Sequence, residues 1–293
     1  MNIVRNLCIW GLLLLVFSSF AQEKNELLVK TKNNTTLHYS KGIPQKEVDH
    51  YLDRVEKAIS FYHELINGNE IKLDMYVLKK ADWKDYSYVP MYGMPHAGYG
   101  KLIMAYDEND LWSSVLPQKK DLSSKEYEKF KKIYEDEEGK ISAKIFWDLL
   151  SIHELGHLVA NANNLSIPKH WFNEFFANYF LHAYIAKYES NLLDQLTEIT
   201  RIDSKLLAGE KFTSLDEFEN NYGSKMSGKN YVWYQVNIQQ IVKSVYEKVG
   251  DKPLKLIFTK FKDNQKKFKS SQEFILYLEK EISPEIAEYF RNF

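Results

Sequence analysis

Cysteine is almost absent from this chain: its 293 residues hold one, Cys8. That residue falls within "MNIVRNLCIWGLLLLVFSSFAQ", which has a short basic start at Arg5 and an uncharged apolar run from Leu7 to Phe20. Small residues at Ser19 and Ala21 follow, and the pattern is that of a secretory signal with cleavage expected after Ala21. Without residues 1–21 no cysteine remains, which excludes disulfides, a thiol nucleophile and cysteine metal ligands. Any metal site must then be built from histidine and carboxylates. A long hydrophobic run is lacking too. Leu7–Phe20 is shorter than the ~20 residues that span a bilayer, so no stable membrane anchor is expected. A lipid anchor would need a cysteine at the cleavage point, and Cys8 lies at the wrong end of the run. The expectation is an exported protein, periplasmic or secreted.

An excess of basic charge is also missing. There are 39 Lys and Arg against 40 Asp and Glu, and loss of Arg5 with the signal leaves 38 against 40, a formal charge of −2. A nucleic-acid surface would need clustered Lys and Arg, so no nucleic-acid partner is expected. Internal repeats and low-complexity segments are absent. With 44% hydrophobic and 15% aromatic residues, the chain can bury a sizeable core.

Residues 26–40 read as two short strands around an Asn-Asn turn. Pro44 then opens a helix with Val48, Leu52, Val55, Ile59 and Tyr62 at helical spacing, stopped by Gly68. "IKLDMYVL" (71–78) alternates as a strand does, and "GYGKLIMAYD" (98–107) is a further strand candidate. From about residue 141 nearly everything reads as helix: 142–161, 170–188, 191–201, 230–249, 252–262, 271–280 and 283–291. The expected fold is α+β in a single domain over 22–293. A small mixed α/β lobe (22–140) carries a mainly antiparallel or mixed sheet, and a mostly helical lobe (141–293) follows.

The segment "SAKIFWDLLSIHELGHLVANAN" carries the chemistry. Residues four apart on a helix share a face, so His153 and His157 can hold one zinc ion, with Glu154 placed to reach a water on it. Ser142 is a candidate N-cap, Ile145, Leu149, Ile152 and Val159 form a core stripe, and asparagines at 161, 163 and 164 mark the end. A catalytic zinc takes three protein ligands and leaves one position open. A histidine six residues after His157 would be one third ligand, but position 163 is Asn. The other route is a glutamate on a second, antiparallel helix, and Glu174 falls in the opening turns of "HWFNEFFANYFLHAYIAKY" after a turn over Asn161–Lys169. Ala177, one turn on, is small enough to let the helices approach. Asn178 either hydrogen-bonds a ligating histidine or caps the helix pair. Trp171, Phe175 and Tyr179 read as core. His96 and His170 are further candidates for the site, whereas His38, His50, His63 and His182 read as surface or helix-face residues.

This stretch resembles the gluzincin metallopeptidases, the thermolysin-like group with a His-Glu-x-x-His helix and a glutamate third ligand. "WFNEFFANY" is similar to the Trp-x-Asn-Glu-x-x-Ala signature of the M1 aminopeptidase branch, although the gap between His157 and Glu174 is slightly short. The likeness is strongest over 142–186. It implies a thermolysin-like catalytic domain, His153, His157 and Glu174 as zinc ligands, Glu154 as general base, and hydrolysis of a peptide or protein substrate. It also implies an antiparallel edge strand to align the substrate, for which "GYGKLIMAYD" is the candidate, with Gly98 and Gly100 allowing close approach. An oxyanion-supporting tyrosine is implied early in a helix that ends near a glycine. Tyr231 and Tyr234 are both available, and Tyr234 fits the distance to Gly250 better. The Gly-x-Met-Glu-Asn motif that grips a free amino terminus is missing, which puts aminopeptidase specificity in doubt. Rival readings are a zinc-bearing binding module without activity and an envelope protein with no metal.

Overall fold

A computed structural model describes residues 26–66, 68–136, 138–207, 209–223 and 225–293; the expected signal segment lies outside them. The described residues begin with a hairpin, β1 (Leu28–Lys32) and β2 (Thr35–Tyr39), turned at Asn33 with φ 47°, a left-handed conformation that asparagine tolerates. Helix α1 (Gln45–Leu65) then crosses to β3 (Leu73–Leu78), which pairs parallel with β2. All five residues expected on the inner face of α1 are buried. The helix ends before Gly68, which is needed for a different reason: a Cβ there would fall 1.9 Å from the Tyr62 hydroxyl.

After α2 (Lys80–Tyr86), the expected single strand over 98–107 is two strands. β4 (His96–Gly98) and β5 (Lys101–Ala105) form an antiparallel hairpin. Tyr99 and Gly100 both have positive φ, 51° and 75°, the backbone that a two-residue hairpin turn requires. The sheet order is β1-β2-β3-β5-β4, with β5 parallel to β3 and β4 at the edge. The fold is α+β, with a mixed sheet followed by helices.

Helices α3 (Asp110–Ser114) and α4 (Ser124–Tyr134) lead into α5 (Lys144–Ala162), α6 (His170–Tyr188), α7 (Leu193–Leu206), α8 (Leu215–Asn221), α9 (Gly228–Val249), α10 (Lys252–Phe261), α11 (Ser271–Glu281) and α12 (Pro284–Arg291). α5 lies against β4, β5 and α1 on one side and α6 on the other, while α9 packs on α6 and α7. The main core joins the α1 side of the sheet to this helical layer. Among the described residues no helix is long and apolar enough to cross a membrane.

Two local expectations for α5 need correction. The N-cap residue is Ala143, and the Ser142 hydroxyl instead accepts the Lys144 N–H at 3.0 Å. Ile145 is 42% exposed and leaves the stripe, whereas Leu149, Ile152 and Val159 are fully buried.

Candidate metal centre

The end of α5 and the start of α6 place the site. Asn163 is the C-cap of α5, its side chain donating to the Val159 carbonyl at 2.8 Å and accepting from Tyr62 Oη and the Asn69 N–H. Asn164 follows at φ 54° and reverses the chain. At the start of α6, Glu219 accepts the Trp171 N–H at 3.0 Å, an anion where the helix exposes unpaired amides. The two helices cross at Gly156 and Ala177: a Cβ on Gly156 would sit 3.1 Å from the Ala177 Cα. Glycine inside a helix costs about 1 kcal/mol relative to alanine. Here it brings the backbones together where His157 and Glu174 must meet.

His153, His157 and Glu174 converge and could hold a metal ion. The two Nε2 atoms are 3.1 Å apart, and Glu174 Oε2 lies 3.4 Å from His153 Nε2 and 3.7 Å from His157 Nε2. Bonds of about 2.0–2.1 Å to a four-coordinate ion such as zinc put neighbouring donors about 3.3 Å apart, so the triangle has the dimensions of one face of such a site. The outer partners suit it. His153 Nδ1 lies 3.0 Å from Asn178 Oδ1. As an Nδ1–H donor to that oxygen, the ring keeps its Nε2 lone pair for a ligand. The Asn173 amide lies 3.2 Å from His157 Nδ1 and could play the same part with its oxygen turned inward. Tyr222 Oη donates to Glu174 Oε1 and Gln235 Nε2 to Glu174 Oε2, both at 2.9 Å. Asn178 Nδ2 donates to Gln235 Oε1 at 3.1 Å, which closes the ring.

The electrostatics favour a cation. Burial pushes the Glu174 carboxyl up, yet hydrogen bonds from both histidines outweigh this and hold it well below the usual carboxylate range. Burial pulls His157 down, but its hydrogen bond to Glu174 and the Glu174 charge carry it to about 9.

Glu154 stands at the rim. Burial raises its carboxyl, with His153 and His157 opposing, and the Ala97 amide of β4 is turned toward it. The edge strand beside the site is thus β4, not the longer β5.

The structure separates the two tyrosines. Tyr231 lines the space beside His153 and Glu154, and its hydroxyl accepts from Gln235 Nε2 at 2.7 Å. Tyr234, preferred on chain spacing, points away. Its hydroxyl donates to the Ser214 carbonyl at 2.8 Å and its ring packs on Phe218, Trp233 and Phe293. It is a packing residue. His96 is held within its own loop by Ser87 and the Met94 carbonyl. His170 reaches the site only indirectly, stacked on Tyr222. His182 is not a surface residue but is buried beside Tyr246, with its pKa lowered to about 4 by burial.

Tyr222 and Gln235 were not singled out from the sequence. Gln235 stands one helical turn from Tyr231 and could have been found by that spacing. Tyr222 caps α8, whose Ser214–Glu217 capping box is a legible start signal. Compared with protein-family profiles, curated protein sequences and solved structures, the chain matches none.

Proposed function

We propose that this chain is an exported zinc-dependent peptidase of gluzincin type, hydrolysing peptide bonds in a peptide or protein substrate. The observation that carries the reading is the His153, His157, Glu174 triangle, with Glu154 at its rim and the open edge of β4 alongside. His153, His157 and Glu174 would hold the ion, which when bound polarises a carbonyl and acidifies a water. Asn178, Asn173, Tyr222 and Gln235 orient those donors. Glu154 takes a proton from the attacking water onto its carboxylate and returns it to the departing amine. The Ala97 amide steadies that carboxylate, and the Tyr231 hydroxyl donates to the developing oxyanion. An extended substrate adds to β4 through backbone hydrogen bonds.

The test is cleavage of a mixed peptide library by the purified protein, with and without a chelator, alongside Glu154→Gln. Chelation should abolish cleavage and zinc should restore it. Glu154→Gln should keep its metal and lose about 10²–10⁴-fold in rate. Wild-type cleavage by Glu154→Gln, or cleavage indifferent to chelator, removes the proposal.

A further inference from the structure

Between α5, α7 and α9 a cavity of about 150 Å³ lies beside His153 and Glu154, lined by Tyr231 and Gln235 from α9 and by Asp203 from α7. Gln235 stands one turn after Tyr231, so the two side chains leave the same face of α9. Its Nε2 lies 2.9 Å from Glu174 Oε2 and 2.7 Å from Tyr231 Oη, and its Oε1 lies 3.1 Å from Asn178 Nδ2. The neighbours dictate how this amide is turned. Hydrogen bonds from both histidines keep Glu174 ionised, and a carboxylate only accepts. The end of Gln235 facing it must be the nitrogen. An amide nitrogen donates and does not accept, so Tyr231 Oη is the acceptor of the second contact, and the Tyr231 proton must point away from Gln235. Tyr222 gives its own proton to Glu174 Oε1 at 2.9 Å, which leaves its oxygen free to accept, and the Tyr231 hydroxyl donates to it. That partner is a neutral hydroxyl. A negatively charged oxygen is a stronger acceptor, so an oxyanion forming beside Tyr231 draws the proton to itself.

We propose, resting on the peptidase reading above, that Gln235 is a positioning residue for Tyr231: by occupying the phenol oxygen with an N–H, it holds the hydroxyl proton available to the oxyanion. This goes beyond steadying Glu174. The same amide is tied to Glu174 directly and to His153 through Asn178, so the groups that hold the metal also set the oxyanion donor. Without the amide, the ionised Glu174, whose charge already acts on Tyr231, is the competing acceptor. A proton given there is lost to the oxyanion.

The first measurement needs neither metal nor turnover. Nuclear magnetic resonance of the metal-free protein with isotope-labelled tyrosine rings reads each phenol, and Tyr231→Phe and Tyr234→Phe identify two of the signals. Gln235→Met, checked for native fold by circular dichroism, should move the Tyr231 signal. It should leave the Tyr234 signal in place, since that hydroxyl is bonded to the Ser214 carbonyl. An unmoved Tyr231 signal, or equal movement of both, overturns the proposal. The second measurement is a double-variant cycle on peptide cleavage, with zinc saturating and metal content verified. Gln235→Met should lower kcat by about tenfold and change KM by less than about twofold. Added to Tyr231→Phe, it should lower kcat by less than a further factor of about two. Losses that multiply, or a loss confined to KM, overturn the proposal. A moved Tyr231 signal without cleavage of any peptide supports the hydrogen-bond arrangement while overturning the peptidase reading.

Discussion

Around His153, His157 and Glu174 the buried polar groups are held from behind: Asn178 and Asn173 meet the imidazoles, and Tyr222 and Gln235 meet the two carboxylate oxygens. Less than two turns back along α5, Trp147 Nε1 is buried with no hydrogen-bond partner among the described residues, and one turn on from Gln235 along α9, so is Gln239 Oε1. The same helices thus carry a completed polar network and an incomplete one side by side. Their difference is one of order: a network closed by the chain itself holds its donors in one arrangement, whereas nothing among the described residues fixes the two unpaired groups.

Removing a donor from the closed network should have the largest effect. Glu174→Ala is expected to reduce metal content, read by mass spectrometry of the purified protein, to background, and to lower cleavage by at least about 10³-fold. A full metal complement in this variant would dissolve the contrast. Next, Tyr231→Phe should lower kcat/KM by about 10²-fold. Tyr234→Phe should leave kcat/KM nearly unchanged and instead lose about 1 kcal/mol in denaturant unfolding, because the Ser214 carbonyl loses its donor. Equal kinetic losses in the two would show that the facing of α9 has been misjudged. Asn178→Ala keeps all three donors but frees the His153 ring, and chelator competition should show metal affinity weakened by about 10–100-fold.

The last effect, on stability alone, lies on the cavity side. The Asp203 carboxyl is raised by burial to about 7 in the folded chain, against an ordinary 3.8. Between those values the unfolded chain has released this proton and the folded chain still holds it, so the group's contribution to stability falls as pH rises and levels off above about 7. Asp203→Asn should remove that slope and gain up to about 4 kcal/mol at pH 8 relative to pH 4. Unfolding curves for both proteins across that range check it, and parallel pH profiles would count against a dry cavity wall.

The helical pair was legible because its signals are local. The 170–188 helix appears as His170–Tyr188; the spacing of four joined the two histidines, and the reading of a second, antiparallel helix added Glu174. What escaped depends on facing and on turns. Tyr231 and Tyr234 are both early in α9, and chain distance alone cannot say which side of the helix meets α6. The hairpin over 96–105 was read as one strand because a tyrosine, not the usual asparagine or glycine, occupies the first positive-φ turn position. Helices α2 and α3 went unnoticed because they are short; α4 was missed although the Ser123–Glu126 capping box marks its start. The polar ring was hardest, since Tyr222 meets Glu174 across 48 residues of chain.

The Gly156–Ala177 crossing has a consequence for how the site comes into being. All three donors and the two asparagines behind them lie within residues 153–178, on a single helical hairpin closed by a short turn. Bringing such near neighbours together costs little loop entropy, and contacts of low sequence separation form early. The hairpin can therefore assemble its donor triangle before Tyr222 and Gln235 arrive to lock it. A cation met at that stage would bind a folding chain, not a finished one, and would act as a nucleus for the helices that later enclose it.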